Sequence, residues 1–221
     1  MSGSIKARGN VTRQANKKLR RERILDIAKN LIATKGLEAF TLRQLSDQAG
    51  VTLPTIHNLF GKKSNIVEEL VAEMVEAMSG AIEQTAPSDP VENTFFIIDR
   101  LSGQFGENED FYRAALQAAA HLDLFDPKNP NGLHPRVWQL AKPRQEWYTD
   151  GHLLGKVATN LIWKRVHDAQ RLARLDWVSG YIDLKQYRRQ VAEGILMTYA
   201  ADASPELKVR VSKSLSELAD V

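Results

Sequence analysis

The length and composition of the chain, 221 residues of which 43% are apolar, suit one large domain or two modest ones, and the formal net charge is +3. The absence of cysteine excludes disulfides, thiolate metal sites and cysteine nucleophiles. No apolar run approaches the roughly 20 residues that cross a bilayer, and the first 23 residues are too polar and basic for a secretory signal. We therefore expect a cytoplasmic protein that makes no contact with a membrane.

Charge is unevenly distributed along the chain. Residues 1–65 hold thirteen Lys and Arg against four Asp and Glu, whereas residues 66–221 hold seventeen against twenty-three. This asymmetry predicts a basic head that faces a polyanion and an acidic body. Eight of the thirteen cations precede Ile24, so a basic tail that binds nothing specific is an alternative interpretation.

The apolar pattern is helical over nearly the whole chain, and it predicts an all-α fold. A stripe with the spacing i, i+3, i+4, i+7, i+8 begins at Ile24, and Gly36 is placed to end that helix. Thr41 and Gln44 have the spacing of a capping box for a second helix. Residues 49–51 then make a tight turn that contains glycine.

Thr52 is placed to cap a third helix that tolerates Pro54 in its first turn and ends at Gly61. Ser64 is placed to cap a fourth helix, and residues 84–90 are the clearest break in the chain. Beyond the break, the pattern predicts a loop at 123–135 and helices near 91–105, 109–122, 135–149, 153–178, 183–201 and 205–219.

Two short helices joined by a tight turn, after a longer helix, are typical of a helix-turn-helix domain, whose third helix presents its outer side to the major groove. In the third helix only Ile56 and Phe60 clearly need to face inward. A short polar surface helix in an ordinary bundle is the structural alternative. The predicted DNA contacts are Thr41, Arg43, Thr52, Leu53, Thr55, His57, Asn58, Lys62 and Lys63.

These residue types suit contact with DNA. Threonine hydroxyls and the amides at a helix N-terminus bond phosphate oxygens, and Lys62 and Lys63 can each neutralise a phosphate. Asn58 can pair with adenine, and leucine or a threonine methyl can contact a thymine methyl. Arg43 suits either a contact at the groove edge or a surface salt bridge.

The stretch "FTLRQLSDQAGVTLPTIHNLFGKKSNIVEEL", residues 40–70, resembles a family signature. Residues 24–70 as a whole are similar to the N-terminal domain of the TetR family of transcriptional regulators. Thr55 and Ile56 stand where Thr-Leu is usual in that family. His57 stands where the family usually has a tyrosine that bonds a phosphate, so the identity of that contact differs here.

The resemblance implies a DNA-binding transcriptional regulator, in the first place a repressor released from a palindromic operator by a small-molecule effector. It also implies a homodimer that forms through the helices near 153–178 and 183–201, although an intrachain core would show the same apolar faces. The domain layout is then a basic, flexible arm at 1–23, a helix-turn-helix domain at 24–65, and an effector-binding and dimerisation domain at 66–221.

An effector pocket in the body is a further implication of the resemblance. Large rings and histidines in this part of the chain suit an apolar cavity with a few orienting polar groups, although aromatic residues at helical spacing also form ordinary cores. The candidate pocket residues are Phe105, Phe111, Tyr112, His121, Phe125, Trp138, Trp147, His152 and Trp163.

Two other classes of function compete with an effector-responsive regulator. An enzyme is disfavoured because the sequence has no catalytic motif, no phosphate-binding Gly-rich loop and no histidines at metal-ligand spacing, and we expect no catalytic residue, metal or cofactor. A DNA-binding interaction protein that organises chromosomes or division without an effector stays open.

Overall fold

The computed structural model describes residues 3–130, 132–135 and 142–219, and over these ranges the chain is helical apart from turns and a single bridge between Leu153 and Ala203. No helix within the described ranges is long and apolar enough to cross a bilayer. The all-α prediction is confirmed. The helices are α1 (Gly3–Ala39), α2 (Leu42–Ala49), α3 (Leu53–Phe60), α4 (Lys63–Thr85), α5 (Pro90–Glu107), α6 (Glu109–His121), α7 (Glu146–Thr149), α8 (Thr159–Val178), α9 (Leu184–Ala200) and α10 (Pro205–Ala219).

The chain forms two compact units. The head unit comprises the residues up to Val71 together with Asp110–Leu122, and the body unit comprises Ala72–Glu109 and the residues from Asp123 onward. The predicted domain boundary between residues 65 and 66 stays a prediction. The head unit differs from that layout because it takes in the first residues of α4 and all of α6.

The head unit is built on α1, whose apolar stripe is buried as predicted, with Ile24 and Ala28 both fully enclosed. The stripe ends at Gly36, where φ is 75° and only glycine is unstrained. The chain is helical from Gly3 onward, and the flexible arm expected at 1–23 stays a prediction. Residues 13–23 are mostly Arg, Lys, Gln, Glu, Ala and Leu, which are strong helix formers, and they continue directly into the packed part of α1.

The body unit is organised around α8 and α9, which pack closely. A Cβ added at Gly194 would lie 2.6 Å from Cβ of Ala169, so the close approach of the two helices requires glycine at this position. The apolar residues of α9 expected at a dimer face are instead 0–4% exposed within the chain. These residues therefore belong to the core of the single chain rather than to a dimer face. They are Val191, Ile195, Leu196 and Tyr199.

Three predicted helix starts or spans need correction. Helix α8 begins at Thr159 rather than at 153, because Asp202 binds the segment before it. Helix α4 begins at Lys63, so Ser64 lies inside its first turn and hydrogen-bonds Asn65 Oδ1 instead of capping. The helix predicted at 135–149 is helical at 135 and over α7 but not at 142–145, and its residues 136–141 lie outside the described residues.

Candidate nucleic-acid interface

The interface begins at the start of α2, where Thr41 forms the predicted capping box. Its Oγ1 accepts a hydrogen bond from Gln44 N at 3.2 Å, and Gln44 Oε1 accepts from Thr41 N at 3.1 Å. Because Oγ1 acts as an acceptor here, its own proton is left to donate outward from an exposed position, as a phosphate contact requires. Arg43, one residue into α2, is exposed and makes no ion pair with any residue in the described part of the chain.

The turn between α2 and α3 has the conformation predicted from its glycine. Gly50 has φ 62° and ψ 36°, and its N–H donates to the carbonyls of Ser46 and Asp47. Val51 N also donates to Ser46 O, at 3.0 Å. These hydrogen bonds satisfy the end of α2 and set the direction in which α3 leaves.

The two sides of α3 differ as the sequence predicted. Ile56 is 0% exposed and Phe60 is 5% exposed, and they face the core of the head unit. Thr52, Leu53, His57 and Asn58 are exposed, and Thr55 is half-buried. Thr52 occupies the N-cap position, but its hydroxyl lies 2.9 Å from the Thr55 hydroxyl and does not bond a backbone amide. The first N–H groups of α3 are therefore not capped by that side chain.

His57 makes a hydrogen bond that defines its tautomer. Its Nδ1 lies 3.0 Å from Gly61 O. A carbonyl oxygen can only accept, so Nδ1 carries the proton in this bond. In the neutral ring Nε2 is then an acceptor, and it becomes a donor only when the imidazole is protonated.

The two lysines after Gly61 differ in solvent exposure and in their contacts. Lys62 is exposed. Lys63 is half-buried, with Nζ 3.5 Å from Glu38 O and 5.6 Å from the centre of the Phe40 ring. Lys62 is accordingly the better placed of the two for contact with a phosphate.

Two arginines of the basic N-terminal segment hold the helix-turn-helix together. Arg21 Nε donates to Glu69 Oε1 at 2.6 Å, and its two other nitrogens donate to Glu69 Oε2 and Leu59 O, while the guanidinium lies 4.3 Å above the Phe60 ring. Arg23 Nη2 donates to Ala49 O at 2.7 Å, at the end of α2. The sequence pattern places both arginines only in the basic arm, because their acceptors lie 26–48 positions away.

The candidate effector residues do not gather in one place. Phe111, Tyr112 and His121 belong to the head unit, where Lys29 Nζ lies 5.0 Å from the centre of the Phe111 ring. The others that the structure describes belong to the body unit. Trp138 lies outside the described residues.

Within the body unit the candidates also differ in their surroundings. Phe105 stacks on Trp177 at 4.9 Å, and Trp147 donates through Nε1 to Ser88 O. Trp163 is half-buried, with Lys142 Nζ 5.7 Å from its ring centre. A separate cleft of about 530 Å³ contains none of the candidates, and its walls include Phe95, Arg188, Arg189, Ala192 and Leu218.

A helix-turn-helix whose third helix exposes a polar side next to unpaired cations, joined to a larger helical part, defines a DNA-binding transcriptional regulator. The profile of the family described as "Bacterial regulatory proteins, tetR family" matches residues 24–70. The chain therefore carries at residues 24–70 the N-terminal domain of the TetR family of transcriptional regulators.

Two relatives are transcriptional repressors. The HTH-type transcriptional repressor KstR2 of Mycolicibacterium smegmatis is 23% identical over 166 residues, which cover 72% of this chain and 77% of that protein. KstR2 of Rhodococcus jostii is 32% identical over 69 residues, or 31% and 34% of the two chains.

Two solved structures share the fold. The TetR family protein CprB from S. coelicolor A3(2) superposes with a TM-score of 0.63 at 14% identity, over 91% of this chain and 97% of that one. The fatty acid degradation regulator FadR from Bacillus halodurans has the same TM-score at 18% identity, over 80% and 94%.

Proposed function

We propose that the chain is a cytoplasmic homodimeric repressor that binds an operator with two half-sites and leaves it when a small molecule binds the body unit. The observation that carries the DNA-binding part is the exposed polar side of α3, opposite the buried Ile56 and Phe60. In a dimer, two copies of α3 would enter successive major grooves about 34–36 Å apart.

Each exposed group has a distinct role in this proposal. The Thr41 hydroxyl and Lys62 bind phosphates and fix the position of the domain on the duplex. Asn58 reads a base edge, with adenine as its best partner. His57 offers Nε2 as an acceptor, which suits the amino group of adenine or cytosine, whereas a phosphate contact from the same atom needs the protonated ring.

The proposed dimer surface lies on α8 and α9. Leu161, Leu172 and Leu175 of α8 are 45%, 54% and 41% exposed, and their spacing places them on one side of the helix. Met197 of α9 is 64% exposed. Exposed leucines in a row are unusual on a monomer, so this apolar surface favours association between two copies of the chain.

The experiment that tests DNA recognition starts with selection of the genomic fragments that the purified full chain binds. On a selected fragment, Asn58→Ala should weaken specific binding by about 1–3 kcal/mol. Lys62→Ala should make the slope of log K against log salt less negative by about one.

Lys128→Ala is the matched control, because it removes one exposed cation from the body unit. It should leave both affinity and salt slope unchanged. If Lys62→Ala and Lys128→Ala behaved alike, the assignment of α3 and its flank as the DNA-binding surface would be wrong.

A further inference from the structure

We propose that the body unit contains a binding site for an organic anion, with Arg174 of α8 as its ligand-binding residue, next to Phe125 of the 123–135 loop. The anionic group is a carboxylate or a phosphate. The inference names the chemical class of the effector, so as a regulatory statement it rests on the proposed function, but the site itself can be tested without DNA.

Arg174 has no compensating acid among the residues that the structure describes. Its side chain is half-buried, and its guanidinium carbon lies 5.0 Å above the centre of the Phe125 ring. No hydrogen bond or ion pair joins it to any residue in the described part of the chain. Burial lowers the pKa of Arg174, and no carboxylate among the described residues acts to raise it.

Tyr187, which also interacts with Arg174, does not supply a negative charge either. Tyr187 of α9 is 2% exposed, and burial raises the pKa of its phenol to about 12 although Arg174 acts to lower it. The phenol is therefore neutral at physiological pH. An aromatic face and a neutral hydroxyl leave the forked N–H donors of a guanidinium unmatched.

Other cationic or protonatable side chains lie along the same side of α8. His167 and Arg171 precede Arg174 by seven and three positions, and the His134 ring lies 5.7 Å from the His167 ring. Asp168 is the acid that acts on His167, but its carboxylate already binds Lys164 at 2.7 Å. The local balance is positive.

Among the residues that the structure describes, no carboxylate acts on Arg174. A charge that is removed from water without a partner is costly, so residues that keep one are candidates for binding an opposite charge.

Aromatic side chains of the body unit offer a surface for the apolar part of the ligand. Tyr187 contacts Phe105 and Trp177, with ring centres 5.8 Å and 5.9 Å apart. Arg174 interacts electrostatically with Tyr187 and lies 5.0 Å above the Phe125 ring, so aromatic side chains from two elements are its neighbours. A guanidinium among aromatic rings suits an amphipathic organic acid or phosphate ester, because the fork binds two anionic oxygens and the rings pack on the hydrocarbon.

The first test measures thermal stability without ligand. Arg174→Met removes the charge and keeps much of the apolar stem, so the melting temperature should rise by several degrees if the charge is uncompensated. Arg174→Lys, which keeps the charge, should not show this gain. A lower melting temperature for Arg174→Met would show that the arginine stabilises the fold and would overturn the proposal.

The second test uses defined anions as probes. Phenylacetate, hexanoate, decanoate and phenyl phosphate are each compared with the corresponding alcohol or phenol. At least one anion should raise the melting temperature of the wild type by about 4 °C or more and leave Arg174→Met unchanged, while the uncharged partner has equal effects on both proteins. The carboxylates and the phosphate ester separate the two anion sources.

Two outcomes would overturn the anion site, namely equal stabilisation of wild type and Arg174→Met, or no stabilisation of the wild type by any of these anions. Operator affinity, measured with the same probe, tests the proposed function separately. If the anion stabilises only the wild type but operator affinity does not change, the site stands and effector-controlled release fails.

Discussion

At the scale of single residues, burial changes the protonation of His167. Its side chain lies in the body unit and is mostly enclosed. Burial, followed by the nearby charges of Arg174 and His134, lowers the pKa of His167 to about 4, against an opposing effect of Asp168. The imidazole is therefore neutral in the folded protein at physiological pH.

This lowered pKa predicts acid sensitivity without ligand. A histidine in an unfolded chain binds a proton near pH 6.5, whereas His167 in the folded protein does so near pH 4. Between these values the unfolded state binds more protons, so stability should fall by roughly 2–3 kcal/mol as the pH drops from about 6.5 to 4. His167→Gln should remove most of this loss in denaturant titrations at several pH values.

His121→Gln is the control for that experiment, since His121 is an exposed histidine of the head unit. It should keep the slope of stability against pH that the wild type shows. Equal slopes for wild type and His167→Gln would contradict the assignment of the acid sensitivity to His167.

At the scale of elements, one buried carboxylate determines where α8 begins. Asp202 is 2% exposed and accepts three backbone N–H bonds, from Gly155 at 2.9 Å, Lys156 at 2.7 Å and Val157 at 3.0 Å. The same segment pairs with the chain after α9 through the bridge between Leu153 and Ala203. These hydrogen bonds, the bridge and the positive φ of 68° at Gly155 hold the segment in a non-helical conformation, and α8 begins at Thr159.

Asp202→Asn tests this role. An amide side chain has one acceptor oxygen and no charge, so part of the three-bond arrangement is lost and one polar group is left poorly matched. We expect a loss of about 2–4 kcal/mol in the free energy of unfolding. Asp183→Asn, at the exposed cap of α9, is the matched control and should cost about 1 kcal/mol or less. Equal losses would show that burial of the Asp202 carboxylate has no special importance.

At the scale of the whole molecule, function depends on which apolar surfaces the single chain leaves uncovered. Helix α9 buries its apolar residues inside the chain, whereas α8 leaves three leucines exposed. Asp168 lies on the same side of α8 and pairs with Lys164 and Arg165, so the surface combines leucines with local ion pairs. Such a surface suits contact between the α8 helices of two copies of the chain.

Leu172→Glu should convert the proposed dimer into a monomer, because it places a charge in the centre of the apolar surface. Sedimentation velocity of the full chain measures the state directly, and operator affinity should fall with the loss of the second half-site. Val209→Glu, at a residue of α10 that is 71% exposed, is the control and should leave the mass unchanged. A Leu172→Glu variant that keeps the mass of the wild type would exclude this surface from the interface.

Features that depend on neighbours in the chain could be predicted from the sequence. The end of the α1 stripe at Gly36, the capping box of Thr41 and Gln44, the left-handed turn at Gly50, and the inward side of α3 all follow from signals within about four positions. These signals were enough to predict the all-α fold and the helix-turn-helix.

Only the tertiary structure decided features that depend on distant partners. Arg21 is bound to Glu69 across 48 positions, and the start of α8 depends on Asp202, 45–47 positions away. The burial of the α9 residues, and the lack of an acid next to Arg174 within the described ranges, are also decided by which helices meet. The physical reason is that local backbone preferences act along the chain, whereas burial, ion pairing and unmatched charge depend on what packing brings together in space.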